Sequence, residues 1–188
     1  MGSGNSAVII NSIPHAITIR SENITVTNLK IDNPSGIGVN IKNQNTTVQN
    51  ITVLNCSKDS FRLDENSKNG RVINCISKNP EAAHIRGSNR QTYTGNILLN
   101  GGVSGMRDVI SNSIITNNII SGPALHGLDI AGDNNAIGGN RIINSGIGIR
   151  ARGTDNIYYN NRISDCTTNL SAIGTGEILD DNLTGPSN

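Results

Sequence analysis

The chain has 188 residues and a formal net charge of +1, so no strong field draws it to nucleic acid or to an anionic membrane. No stretch is long and apolar enough to span a bilayer as a helix. With 35% hydrophobic residues, no Trp, one Phe and three Tyr, it has little bulk for a two-layer globule and suits a narrow core of stacked aliphatic side chains.

Residues 1–4 (Met-Gly-Ser-Gly) read as an expression scar, and residues 5–188 as a single domain, a fragment of a longer chain. Residues 5–22 hold two short β-prone runs, 7–10 and 17–19, split by Pro14. Residues 23–44 form the first clear unit, with Ile24/Val26, Leu29/Ile31 and Ile37/Val39/Ile41 as three alternating runs. Similar runs return in residues 45–68, 69–90, 91–111, 112–134, 135–155 and 156–177, and residues 178–183 begin another unit. The unit 45–68 is the longest. Its extra residues are expected before Phe61, at Ser57, Lys58, Asp59 and Ser60. In the unit 91–111 the third run is ambiguous around Met106, Arg107, Asp108 and Val109.

One asparagine indexes each unit: Asn28, Asn50, Asn74, Asn96, Asn118, Asn140, Asn161 and Asn182, at intervals of 22, 24, 22, 22, 22, 21 and 21 residues. A fixed period near that length marks a solenoid. Three short strands per unit, joined by Asn-, Gly- or Ser-bearing corners, predict an all-β fold, a parallel β-helix of about eight turns. At ~4.8 Å per rung it would be a rod of about 38 Å. A side-chain amide can donate to one rung and accept from the next, so the asparagines are expected to stack inward as a ladder. Asparagine also suits left-handed corners, which is the competing reading.

The ladder sets the phase of everything else. Cys75 lies one residue after its asparagine, while Cys56 and Cys166 share another corner on distant rungs, so three unpaired, mostly buried thiols are expected. Sequons begin at Asn23, Asn45, Asn50, Asn55, Asn169 and Asn182, and the ladder would turn Asn50 and Asn182 inward, away from any glycan.

Asn28-Leu29-Lys30-Ile31 with Gly36-Ile37-Gly38-Val39, Asn118-Ile119-Ile120 with Gly127-Leu128-Asp129-Ile130, and Asn140-Arg141-Ile142 with Gly146-Ile147-Gly148-Ile149 repeat one unit. It resembles the parallel β-helix repeat of the pectate-lyase-like superfamily over nearly the whole chain. That resemblance implies a right-handed coil, an extracellular, cell-surface or virion-borne location, and a polysaccharide partner. Members include polysaccharide lyases, glycoside hydrolases, uronate epimerases, tailspikes and surface proteins, so the resemblance leaves catalysis open. Motifs of the enzyme members are incomplete here. Leu125-His126-Gly127 and Asp180-Asp181 are hydrolase-motif fragments in the wrong order, and the Asp-Pro-His of the alginate epimerases is absent. No run clusters the oxygen ligands that a calcium-dependent lyase needs, so neither a metal nor another cofactor is expected.

Strand alternation sends every second residue of the third run outward. Those are Gly38 and Asn40, Arg62 and Asp64, His84 and Arg86, Arg107 or Asp108, Asp129, and Arg150 and Arg152. Stacked a rung apart they would form one charged stripe, suited to sugar hydroxyls and to a uronate that arginine grips bidentately. Arg62, Asp64, His84, Arg86, Arg107, Asp129, Arg150 and Arg152 are therefore the expected glycan-binding residues. His84, Arg86, Asp108 and Asp129 are the catalytic candidates, with His84 or Arg86 as base. Asp64 and Asp129 would stand roughly 14 Å apart by the rung spacing, too far for an inverting glycosidase pair; only Asp108 could come nearer to Asp129. The same stripe also reads as a solvated surface of mutual ion pairs. Tyr93, Tyr158 and Tyr159 are close in phase and read as a sugar platform or as packing, and His15 and His126 as corner residues. The second function class is a structural spacer or assembly module that self-associates through uncapped ends or a lateral face.

Overall fold

The computed structural model describes residues 7–10, 15–109, 111–172, 174–176, 178–180 and 183–185. These residues form 25 short strands and no helix. The strands lie in three parallel sheets of nine, eight and eight strands, and each strand pairs with the one three places along the chain. Every turn thus gives one strand to each sheet, as in a β-solenoid. Seven complete three-strand turns lie between partial ones, one fewer than the sequence led us to expect. We number them from residues 23–44 (turn one) to 156–177 (turn seven).

The core is a stack of aligned aliphatic columns. In the first strands Val48, Val72, Tyr93, Ile115, Ile137 and Tyr158 point inward and are buried. In the second strands Ile31, Val53, Leu98, Ile120, Ile142 and Ile163 do the same. The third strands supply Val39, Phe61, Ile85, Met106, Leu128 and Ile149. Tyr93 and Tyr158 are therefore core residues and not an exposed platform; Tyr159 lies outside, with its ring over Gly138.

Three corners turn the chain, and each uses one left-handed residue, with φ between 51° and 59° at the asparagines. Before the first strand stand Asn23, Asn45, Asn69, Arg90, Asn112, Asn134 and Asp155; after it stand Asn28, Asn50, Asn74, Gly95, Asn117, Gly139 and Asn160. Asn33, Asn55, Asn79, Asn100, Gly122, Asn144 and Asp165 follow the second strand. Asparagine tolerates this region because its short amide bonds locally. Neighbouring corner amides also bond outside the coil, as Asn50 Nδ2 does to Asn28 Oδ1 at 3.3 Å.

The expected inward ladder is present in turns four to seven. Asn96, Asn118, Asn140 and Asn161 are buried, and each amide of the first three donates to the next Oδ1 at 2.9 Å. The same nitrogens donate inward to the carbonyls of Val72, Tyr93 and Ile115, so both amide protons are used. Asn28, Asn50 and Asn74 belong instead to the exposed left-handed column one residue earlier, and Ile51 and Cys75 take the inner place in turns two and three. Both readings of the asparagines are thus realised, in different halves of the rod. Asn50 faces solvent, which removes the reason to exclude its sequon; Asn182 lies outside the described residues. A second buried ladder runs at the corner before the first strand, where Ser113 N donates to Asn135 Oδ1 at 2.8 Å and Asn135 Nδ2 to Asn156 Oδ1 at 2.9 Å.

All three cysteines are free and buried, as expected. Burial raises the Cys56 thiol and pushes that of Cys75 up to about 11, so both are protonated at neutral pH.

The extra residues of turn two lie after Phe61, not before it. Between the aligned core residues Val39, Phe61, Ile85, Met106, Leu128 and Ile149 and the next left-handed corner, the chain spends residues 40–44, 62–68, 86–89, 107–111, 129–133 and 150–154. Turn two is two residues longer there than most turns, and turn three is one shorter. The long corner folds back on itself, with Ser67 N and Oγ both donating to the Asp64 carbonyl.

Candidate binding face on the third sheet

The third strands of turns one to seven are Ile37–Ile41, Phe61–Leu63, Ala83–Arg86, Ser104–Val109, His126–Ile130, Ile147–Ala151 and Thr168–Ala172. Their outer face carries Asn40, Arg62, Arg86 and Arg107 in direct register, followed by Asp129 and Arg150. The ambiguity around Met106 resolves as a bulge: Met106 pairs with Leu128 and Val109 with Ile130, so Arg107 and Asp108 together oppose the single residue Asp129. Asp108 takes the left-handed conformation with φ 53°, and its carboxylate reaches Arg86.

Three arginines stacked one rung apart repel one another, and each is drawn off by its own carboxylate. Arg62 Nε lies 3.3 Å from Asp64, Arg86 Nε 2.9 Å from Asp108, and Arg107 Nη2 3.3 Å from Asp59. Arg62 and Arg86 engage their carboxylates through Nε, so the outer nitrogens of the fork remain to donate elsewhere. Further along, Arg152 grips Asp129 with two parallel bonds of 3.0 and 2.9 Å. Arg150, beside Asp129 in register, has no carboxylate within 4 Å among the described residues.

Between turns two and five the face opens into a groove of about 650 Å³ lined by Arg62, Leu63, Asp64, Glu65, Asn66, Arg86, Gly87, Ser88, Asp108 and Ala131. Chain length explains its shape. The long corner of turn two, the short corner of turn three and the bulge at Asp108 all contribute to its lining, which ends at Ala131 of turn five.

His84 does not belong to this face. The alternation breaks at one residue, so that Gly38, Ser60, His84, Gly105, Gly127 and Gly148 turn inward together with the core residue that follows each. At the glycines a Cβ would strike Val53, Ile120, Ile142 or Ile163 across the core. In turns two and three the apolar contact is replaced by a hydrogen-bonded chain. Cys56 Sγ is 3.3 Å from Ser60 Oγ, Ser60 is 2.6 Å from Ser77 Oγ, and Ser77 is 2.7 Å from His84 Nδ1. If Ser77 gives its one proton to Ser60, Nδ1 carries the imidazole proton and donates to Ser77. Nε2 is then an unprotonated nitrogen without a partner. Burial lowers the His84 pKa to about 4, so the ring stays neutral. The expectation of His84 as an exposed base or ligand contact is corrected: it is fully enclosed.

The chain matches the family described as periplasmic copper-binding protein (NosD) over residues 2–182. It belongs to the NosD family. The NosD family is one of right-handed β-helices, in keeping with the coil described above. Among solved structures, the NosD-family chain is similar to the mannuronan C-5 epimerase AlgE4 A-module of Azotobacter vinelandii, with 11% identity and a TM-score of 0.45. That match covers 86% of this chain and 62% of the other, so the NosD-family chain spans less than two thirds of that structure. No curated protein matches it.

Two residues of this NosD-family face escaped the sequence reading. His126, read as a corner, opens the third strand of turn five, where Ser104 Oγ lies 3.5 Å from its Nδ1. Its pKa is lowered, chiefly by burial and with Arg150 and Arg152 acting in the same sense, while Asp129 opposes the shift. Asp59 was read only as one of the extra corner residues before Phe61, yet it accepts from Ala83 N and from Arg107. The signal for both was available: each lies two residues ahead of an aligned core residue, in the column that holds Ser104.

Proposed function

We propose that this chain is a polysaccharide-recognising module that holds an extended glycan against the outer face of its third sheet. The observation that carries this reading is the open groove beside a row of half-buried arginines and carboxylates. Arginine forks with unspent N–H groups, alternating with carboxylates, offer donors and acceptors at rung spacing to a hydroxyl-rich chain. Arg150 and the Asp129–Arg152 pair, with one net positive charge, suit a uronate carboxylate. The family's periplasmic description supports a location outside the cytoplasm.

A second reading, a spacer without a ligand, draws on the ion pairs that the arginines make with aspartates of the same chain. The two separate in one experiment: electrophoresis through gels containing neutral or uronic polysaccharides. A binding module is retarded by at least one polymer, and Arg150→Ala with Arg62→Ala restores its mobility. Free migration of the wild type through every gel leaves the spacer.

The family description also names copper. Copper favours thiolate and imidazole donors. Among the described residues no three His, Cys, Asp or Glu side chains come together in a metal-binding group. His84 commits Nδ1 to Ser77, and the Cys56 and Cys75 thiols are held protonated. These residues do not fit a copper site, and no step is assigned to the metal.

A further inference from the structure

The second strands of turns one to seven pair in register without a bulge, unlike the third strands. One residue of each points into the core, and its two neighbours form a leading and a trailing column on the outer face. In the leading column Ile76, Ile97 and Ile119 are flanked by Lys30 and Thr52 at one end and by Arg141 and Arg162 at the other. The trailing column alternates: Leu54, Leu99 and Ile143 are separated by Lys78 and Ser121, with Asp32 and Ser164 at its ends. Ile76 and Ile119 are each 38% exposed, and Ile97, Leu99, Leu54 and Ile143 are half-buried. Aliphatic side chains gathered in this way on one regular sheet mark a contact surface.

Both columns read alike in either direction about turn four. In the leading column Ile97 is central, Ile76 answers Ile119, Thr52 answers Arg141 and Lys30 answers Arg162. In the trailing column Leu99 is central, Lys78 answers Ser121, Leu54 answers Ile143 and Asp32 answers Ser164. A two-fold axis lying along the strand of turn four, midway between two such faces, reverses the rod and keeps the strand direction. It sets apolar positions on apolar ones and polar on polar, and the shared rung spacing keeps the match in step over every turn. A two-fold axis along the rod would instead oppose Ile76 to Lys78 and Arg141 to Ile143. The first strands also expose Ile114 and Ile157, yet about turn four Arg71 would answer Ile114, so their face lacks this property. Charge agrees with the reversal. Among the described residues neither Arg141 nor Arg162 has a carboxylate within 4 Å, while the opposite end carries Asp32, 3.5 Å from Lys30. Reversing one rod brings Asp32 to the rung that meets Arg162 of the second copy.

We propose that the chain pairs with a second copy of itself through the outer face of its second strands, the two rods antiparallel and turn four of each on the axis. Such a contact is isologous and closes at two. The strands of the two faces run in the same direction, which is the aligned class of sheet packing. The apolar part covers turns two to six, ~20 Å by the rung spacing, and is one strand wide. That footprint is smaller than the ~800 Å² per partner of a standard interface, so the dimer dissociates on dilution. This inference is independent of the glycan reading and leaves the third-sheet face free.

Sedimentation equilibrium from micromolar to millimolar concentration is the test. The wild type should pass from monomer to dimer and no further. Ile97→Lys sets two ammonium groups face to face at the axis and should weaken the dimer at least tenfold; Ile114→Lys, on the first strands, should leave it unchanged. Cross-linking reads the orientation, since the three native thiols are buried. With a thiol reagent shorter than two rungs, ~10 Å, Ile76→Cys mixed with Ile119→Cys should link, and neither should link to itself. Leu99→Cys should link to its own copy. Melting curves check that each variant keeps the coil. A chain that stays monomeric at millimolar concentration overturns the proposal. A dimer that ignores Ile97→Lys, or growth beyond two copies, does so too and moves the contact to the uncapped ends or another face. Self-linking of Ile76→Cys in place of the mixed pair overturns the antiparallel axis.

Discussion

At the corner between first and second strands, turns two and three bury Ile51 and Cys75, whereas turns four to seven bury Asn96, Asn118, Asn140 and Asn161. The outer residue of that corner is left-handed in both groups: Asn50 and Asn74 in the first, Gly95, Asn117, Gly139 and Asn160 in the second. An apolar inner residue asks nothing of its neighbours beyond contact. A buried amide asks for a partner on the next rung, and its oxygen serves two donors, the backbone N–H and the side-chain Nδ2 of the turn before. The ladder can end where such demands end, at Cys75, which gives its backbone N–H to Asn96 Oδ1 and needs nothing further from an amide column. Inward stacking is thus a property of a run of rungs, and a single amide placed at position 51, with Cys75 on the next rung, would be an orphan.

The largest effect that could break this comparison is in the middle of the run. Asn118→Ala strips the acceptor from the Asn96 N–H and Nδ2 and leaves the Tyr93 carbonyl without its donor. Several buried groups unsatisfied at about 1–3 kcal/mol each give a loss of roughly 4 kcal/mol. Urea denaturation measures it. A loss below about 1 kcal/mol would show that the amides fill space and do not act as a hydrogen-bonded unit.

Next comes the polar insert of turns two and three. His84 titrates at about 4 in the folded chain and near 6.5 when unfolded, because burial disfavours the imidazolium. Between those values the unfolded state holds a proton that the folded state lacks. Stability therefore falls as pH drops through about 6.5, and levels off below about 4, by up to roughly 3 kcal/mol. His84→Gln keeps a polar side chain facing Ser77 and removes the titration. Its denaturation midpoint should lose most of the wild-type slope between pH 4 and 6.5. An unchanged slope would move the acid sensitivity to other groups and leave the two halves of the core alike in this respect.

The period, the strand count per turn and the free thiols were legible in the sequence because each follows from spacing alone. The phase of the asparagines was not. Asn50 and Asn118 share a period of 21–24 residues with every other marker, yet they sit one residue apart in register, and asparagine is favoured at both places for different reasons. His84 was misplaced by the same one-residue margin, since strict alternation fails where two successive residues, His84 and Ile85, both turn inward. Arg62, Arg86, Arg107, Asp129 and Arg150 were placed correctly on one face because each directly follows a core residue. The groove was beyond reach, as it depends on which corner of turn two holds the extra residues.

A smaller effect sharpens the outer half of the comparison. Asn50 has φ 54°, a conformation that costs a Cβ-bearing residue without a local amide about 1 kcal/mol. Asn50→Ala should lose about that much, and Asn50→Gly should be close to neutral, since glycine reaches this region without steric strain. Turn four already carries Gly95 at this place with φ 66°. The same pair of substitutions at Asn118 should behave differently, with glycine no better than alanine, because there the amide and not the backbone angle is at stake. Equal responses at both sites would return all the asparagines to a single role.

The smallest effect concerns the outer face itself. Arg152 is about a third exposed, and its pair with Asp129 is open to solvent on one side. Arg152→Ala should cost less than about 1 kcal/mol of stability, and less still in 0.5 M salt, where the Debye length is a few ångströms. Arg86→Ala should behave alike, since both partners of its ion pair are more exposed. A loss above about 2 kcal/mol at either site would make these pairs part of the framework, and the spacer reading would gain what the glycan reading loses. A loss within the expected bound means that the coil is held by its inner columns. Its outer charges are then free to be exchanged for contacts with a ligand, because breaking them removes little from the fold.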